Sequence, residues 1–148
     1  MPNREAVTPL VAIAGLARMF EVVLGQHDLT IQKYRVLAFL MIEPSTPSSL
    51  AYRLTVQRPT LTRLVQGLVD IDLVERRPSD RDRRQTLLAV TPAGRRALAE
   101  ADADIQLRLE RILGELPKDQ AHDAERGLLS TATALRRYWK RTHDDHPA

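Results

Sequence analysis

Three times in this sequence a threonine is followed at once by a proline, at Thr8-Pro9, Thr46-Pro47 and Thr91-Pro92. That pair constrains the chain more than any other feature. The threonine hydroxyl accepts a hydrogen bond from a free N–H of a helix's first turn, and proline fits the first helical position, where its missing N–H costs nothing. Each pair therefore predicts a helix start. Pro44 and Pro117 act in the opposite sense and end the helices before them. The first helix is expected from Pro9 to Gly25. Leu10, Ile13, Ala14, Ala17, Phe20 and Leu24 recur at near-helical spacing, and Val11, Leu16, Val22 and Val23 widen the face. So broad an apolar surface predicts burial on more than one side. Thr30 caps a second helix, Ile31–Ile42, with Tyr34, Leu37, Ala38 and Met41 as its apolar stripe. A short third helix covers 47–54. Thr55-Val56-Gln57 break it, and a fourth helix runs from 58 to about 71, with Pro59 tolerated in its first turn.

The pattern then changes. Residues 73–77 and 86–90 are short and hold Val, Leu and Thr, with the polar run 78–85 between them. Two such segments around a polar loop predict a β-hairpin. A long helix from 92 to about 116 follows, with Leu98, Ile105, Leu109, Ile112 and Leu116 on one side. A last helix, about 118–141, carries Leu128, Leu129, Ala132, Leu135 and Trp139. Tyr138 and Trp139 are expected at an interface or core edge, and 144–148 as a frayed tail. The fold class is mainly α with a small β-hairpin.

Charge separates the thirds of the chain. The net charge of the 148 residues is only +3, yet residues 53–96 carry ten basic and five acidic side chains. A local basic block is the footprint of a phosphate-binding surface. There is no cysteine, which excludes disulfides, thiolate zinc sites and a cysteine redox switch. No apolar run approaches a membrane span, and the opening Met1-Pro2-Asn3-Arg4-Glu5 does not read as a signal peptide. A cytoplasmic protein without membrane contact is expected.

The basic block coincides with the helix–break–helix pattern and the hairpin. Helix 47–54, the break and helix 58–71 form a helix-turn-helix, and the hairpin adds a wing. On the second helix Leu61, Leu64, Val65 and Leu68 take core spacing, while Arg58, Thr60, Thr62, Arg63 and Gln66 fall largely on the other side. Arg grips guanine or phosphate, and Thr offers a hydroxyl or a methyl group to base edges. The expected contacts to double-stranded DNA are Gln57, Arg58, Thr60, Thr62 and Arg63 from the helix, and Arg81, Asp82, Arg83 and Arg84 from the wing. The arginines suit a narrow minor groove. Asp80 and Asp82 are expected to pair with those arginines and fix their direction.

This segment resembles the multiple-antibiotic-resistance regulator (MarR) family. The resemblance rests on the stretch from Gln57 to Val65, on Leu73-Val74-Glu75-Arg76-Arg77-Pro78, and on Asp82-Arg83-Arg84 followed by Leu87 to Val90 and Thr91-Pro92-Ala93-Gly94. It covers about 46–98. Two positions depart from the family's pattern. Gln57 stands where Ser or Thr is frequent, so the helix N-cap is weaker or moves to Thr55. Asp72 stands where Gly is frequent, and Asp tolerates the left-handed conformation needed there. The resemblance implies a homodimer on a palindromic operator, acting as a ligand-responsive repressor. Residues 1–29 and 97–148 would supply dimerisation helices and residues 30–96 the DNA-binding region. It also implies a small aromatic or phenolic effector, for which Arg18, His27, Tyr34 and Arg35 are the candidate contacts.

Other chemistry finds little support. His143-Asp144-Asp145-His146 has metal-ligand residue types but reads as a solvated tail. His27 and His122 read otherwise as single surface or capping residues. Asp102 and Asp104 are two apart on a helix and point apart, which makes them a poor acid/base pair. No phosphate loop, nucleophile elbow or metal-ligand spacing is present. The chain therefore reads as a binding protein without metal or cofactor, and not as an enzyme. The alternative is a winged-helix protein–protein interaction module that does not bind DNA.

Overall fold

The computed structural model describes residues 8–144, with the side chains of 140 and 142–144 excepted. The elements run α1 (Pro9–Gly25), α2 (Ile31–Ile42), α3 (Pro47–Leu54), α4 (Arg58–Val69), β1 (Val74–Pro78), β2 (Thr86–Val90), α5 (Pro92–Leu113) and α6 (Lys118–Asp144). The chain divides into two compact units, residues 1–105 and 106–148.

Threonine starts four of the helices. The hydroxyl of Thr8 accepts from the Val11 N–H at 3.3 Å, Thr30 from Lys33 at 3.2 Å, Thr46 from Ser49 at 3.3 Å and Thr91 from Gly94 at 2.9 Å. Each removes one orphan donor from a first turn. Three helix exits turn through left-handed residues that are not glycine, Asp28 (φ 55°), Thr55 (φ 57°) and Asp72 (φ 58°). Asp72 takes the conformation expected of it. Thr55 is β-branched, for which this region is strained.

The first unit has one core. Leu24 of α1, Leu37 of α2, Leu50 of α3, Leu61 and Leu68 of α4, Val74 of β1 and Leu88 of β2 are fully buried there. The hairpin is antiparallel, with Val74 opposite Val90, Arg76 opposite Leu88 and Pro78 opposite Thr86. Ser45 adds a one-residue bridge to β2, since its N–H donates to the Leu88 carbonyl at 3.1 Å and Leu88 returns the bond at 2.9 Å. The wing is thus pinned to the α2–α3 loop.

Several expectations need correction. α4 ends at Val69 rather than 71 and α5 at Leu113 rather than 116, while α6 reaches Asp144. The stripe of α2 is rotated. Val36, Leu37 and Leu40 are buried, whereas Tyr34 is half-buried and Met41 exposed, because α2 is clamped between α4 and β2. α1 is not buried on several sides within this chain. Only Met19, Val23 and Leu24 are buried, and Leu10, Val11 and Ile13 are 75, 58 and 62% exposed. In the second unit, Leu129, Leu135, Tyr138 and Trp139 of α6 are exposed, with the Tyr138 and Trp139 rings edge-on at 5.2 Å. The tail from 145 onward and the side chains of His143 and Asp144 lie outside the described residues.

Candidate nucleic-acid interface

The turn between α3 and α4 is held from both sides. Thr55 and Val56 donate backbone N–H groups to Tyr52 and Ala51, closing the end of α3. From α2, the Arg35 guanidinium donates to the Leu54 carbonyl at 3.1 Å, satisfying one of the carbonyls that a helix end leaves without a partner. Arg53 pairs with Glu43 at 2.9 Å and lies 4.9 Å over the Phe39 ring.

This fixes the entry of α4, whose N-terminus lacks the threonine cap of α1, α2, α3 and α5. Gln57 is its N-cap and makes no side-chain cap hydrogen bond. The cap does not move to Thr55, which is the left-handed C-cap of α3. The first-turn amides of α4 are therefore left uncapped by side chains and carry the positive end of the helix dipole. Leu61, Val65 and Leu68 anchor the helix in the core with Leu64 half-buried. Arg58, Thr60, Thr62, Arg63 and Gln66 are all exposed, as their spacing predicts, and so is Gln57. The Thr62 hydroxyl donates to the Arg58 carbonyl at 2.9 Å, so what it turns outward is a methyl group and oxygen lone pairs.

The wing loop is ordered by its own backbone. Ser79 donates its N–H to the Gln85 carbonyl, Gln85 donates to Asp82, and the buried Ser79 side chain accepts from the Arg81 N–H at 3.3 Å. Asp82 does not pair with a neighbouring guanidinium. Its carboxylate accepts the Arg84 backbone N–H at 3.0 Å, a short-range turn that Asp favours. Arg81, Arg83 and Arg84 are left exposed at the tip. Asp80 likewise makes no ion pair with them among the described residues.

Between α3, α4 and the hairpin lies a cleft of about 390 Å³. Leu61, Val65 and Leu88 form its apolar floor, and Pro47, Ser48, Arg58, Thr62, Arg76 and Thr86 line the rest. Two guanidinium groups and no carboxylate face it, so it favours anions. Arg76 was not among the sequence-predicted contacts. Alternation along β1 carried the signal, because Arg76 follows the buried Val74 by two residues and shares its face.

The four candidate effector contacts do not form one group. Arg18 is exposed and pairs with Glu21 at 3.5 Å, and Arg35 is committed to Leu54. His27 and Tyr34 instead both reach α5. His27 Nε2 lies 2.9 Å from Asp104, and the Tyr34 hydroxyl donates to Asp102 at 2.6 Å, with the Phe20 ring edge-on at 6.1 Å. The two aspartates splay as helix geometry requires, and each meets its own partner. Burial first, then the hydrogen bond and charge of Asp102, hold the Tyr34 phenol well above the usual tyrosine range. A nearby cavity of about 330 Å³, lined by Glu21, Leu29, Thr30, Ile31 and Gln32, includes none of the four. Among the described residues no group of three His, Cys, Asp or Glu side chains is placed to hold a metal, and no helix is long and apolar enough to cross a membrane.

Comparison with known proteins places this architecture. A family model described as "MarR family" matches residues 27–85, from the end of α1 to the wing loop. The chain is 33% identical over 85 residues to an uncharacterised HTH-type transcriptional regulator of Mycobacterium leprae, covering 57% of this chain and 59% of that one. An HTH-type transcriptional regulator of Mycobacterium tuberculosis is 29% identical over 126 residues, covering 84% of this chain and 85% of its own. Among solved structures, RV1404 from Mycobacterium tuberculosis superposes with a TM-score of 0.78 at 28% identity, over 84% of this chain and 87% of that one. The transcriptional repressor CouR, bound to a 23-mer DNA duplex, superposes with a TM-score of 0.67 at 28% identity, over 83 and 87% of the two chains. CouR from Rhodococcus jostii RHA1 bound to p-coumaroyl-CoA shares the fold, with a TM-score of 0.64 at 24% identity over 83 and 88%. With six helices and a two-stranded wing among the described residues, the chain has the winged helix-turn-helix fold of these structures, and its residues 27–85 match the MarR family.

Proposed function

We propose that this protein is a homodimeric, sequence-specific DNA-binding repressor and not an enzyme. The observation that carries the reading is the outer face of α4. Its N-terminus has no side-chain cap, its Arg58, Thr60, Thr62 and Arg63 are exposed, and a carboxylate-free cleft and an arginine-tipped wing adjoin it. α4 enters the major groove. Gln57, Arg58, Thr60, Thr62 and Arg63 contact base edges and phosphates there. Arg81, Arg83 and Arg84 of the wing enter the flanking minor groove, and Asp82 shapes the loop that presents them. The DNA-bound CouR structure supports this mode of action.

Residues 30–96 form the DNA-binding region in this reading, and 1–29 and 97–148 the dimerisation helices. The exposed Leu10, Val11 and Ile13 of α1 support it. So, independently, do the exposed apolar residues of α6, since a monomer gains nothing by leaving such side chains in water. Two copies of α4 then meet successive major grooves of a palindrome, about one helical turn apart. A small aromatic or phenolic acid releases the DNA by favouring another spacing of the two helices. CouR bound to p-coumaroyl-CoA, a phenolic acyl thioester, supports the phenolic part of such an effector. In this chain such a ligand competes with Asp102 and Asp104 for Tyr34 and His27.

Fluorescence anisotropy with the DNA upstream of the protein's own gene and a scrambled duplex, at two salt concentrations, tests the reading. Tight, salt-dependent binding that prefers the upstream DNA is expected. Binding to neither duplex would replace the reading with a protein–protein interaction module.

A further inference from the structure

The sequence-predicted contacts lie on α4 and at the wing tip, and Arg76, assigned to neither, lines the cleft between α4 and the hairpin. Arg76 projects from the inner face of the hairpin, opposite the fully buried Leu88, and so toward α4 rather than toward the wing tip. Its Nη2 donates to Gln66 Oε1 on α4 at 3.2 Å. Gln66 in turn donates from Nε2 to the Asp70 carboxylate at 2.7 Å, which fixes the orientation of the amide and leaves its oxygen to accept from Arg76. Gln66 is the only hydrogen-bond partner of the Arg76 side chain among the described residues. A guanidinium has five donors, so most of them remain directed elsewhere. They line the same cleft as Arg58, Thr62 and Thr86, which no carboxylate enters.

The interposed glutamine matters for the charge. Were Asp70 itself the partner, the guanidinium would be neutralised by an ion pair. A neutral amide holds Arg76 in place and leaves its charge intact.

We propose that Arg76 is a further phosphate-binding residue of the DNA interface, and that Gln66 is its positioning residue. Arg76 grips the backbone phosphate that passes the cleft between the groove entered by α4 and the groove entered by the wing. This rests on the DNA-binding reading above.

The test is a salt titration of binding to one mixed-sequence DNA duplex by the full-length protein and its variants. Arg76→Ala is expected to lower the slope of log K against log salt by about 0.9 per bound protomer, and affinity at 0.1 M salt by roughly eightfold per protomer. Arg76→Lys keeps the charge and retains most of the slope. If Arg76→Ala lowers the thermal midpoint, Arg76→Gln, uncharged but of similar reach, takes its place. Gln66→Ala keeps the slope but loses affinity, and that loss vanishes in the Arg76→Ala background. A folded, uncharged variant at position 76 with wild-type slope would overturn the phosphate contact. A Gln66→Ala loss that persists undiminished without Arg76 would overturn the positioning role. Failure of the wild type to bind with any salt dependence would instead remove the DNA-binding reading itself.

Discussion

The Thr91 hydroxyl donates a 2.6 Å hydrogen bond to the carbonyl oxygen of Asp72 while accepting the N–H of Gly94. One buried side chain thereby ties the exit of α4 to the start of α5 at the open end of the hairpin. Gly94 completes the joint. A β-carbon there would collide with the Leu73 carbonyl oxygen and with the Val90 side chain. Gly→Ala within a helix ordinarily stabilises by about 0.5–1 kcal/mol. Here the sign reverses, because the obstacle is backbone. Gly94→Ala should destabilise by about 2–3 kcal/mol or prevent folding, and Thr91→Ala by about 1–2 kcal/mol. Urea unfolding checks both, and a Gly94→Ala protein as stable as wild type would contradict the close approach.

Tyr34 makes stability depend on pH in the alkaline range. Its folded-state pKa is raised, so the folded protein holds the phenolic proton more tightly than the unfolded chain. The associated stability is complete below the ordinary tyrosine value of about 10 and is lost as pH rises above it. Thermal midpoints of wild type should therefore fall more steeply above that pH than those of Tyr34→Phe. At neutral pH the variant should lose about 1 kcal/mol with its bond to Asp102. Parallel curves for the two proteins would contradict the assignment.

Dimerisation is expected to fail when charge enters the exposed apolar surface of α1. Ile13 is 62% exposed in the single chain, so Ile13→Glu should leave the fold of one protomer intact. Sedimentation equilibrium should show wild-type dimers and Ile13→Glu monomers, with a loss of operator affinity of at least tenfold. A dimeric Ile13→Glu protein would remove α1 from the interface.

In the proposed complex the wing arginines should contribute to affinity more than to sequence choice, because the minor groove has a degenerate base pattern. Arg83→Ala should weaken binding to operator and scrambled duplexes by a similar factor and flatten the salt dependence. Unchanged affinity and slope would remove the wing from the interface.

What the sequence made legible was mostly local. A threonine cap needs only the three residues after it, and Thr8, Thr30, Thr46 and Thr91 were all readable. The hairpin, the outward face of α4 and the left-handed Asp72 follow from spacing and residue type as well. Features that depend on distant partners were not readable. Met41 and Tyr34 fit the stripe of α2 as well as Val36 and Leu40 do, and only packing against α4 and β2 decides between them. The Ser45 bridge needs β2 to arrive beside it. His27 and Asp104 are 77 residues apart, and Tyr34 and Asp102 are 68 apart, so neither pair leaves a pattern in the sequence. Asp82 was misread for a subtler reason. A backbone N–H two residues away is a nearer and less mobile donor than a guanidinium on a long side chain, and it wins.

A hydroxyl-radical footprint on the DNA upstream of the gene tests the central claim most directly. The account predicts two tracts of protection related by a twofold axis, with their centres about one helical turn apart and outer minor-groove protection from the wings. A single unpaired tract, or uniform protection without a preferred site, would contradict a dimer that reads a palindrome through α4.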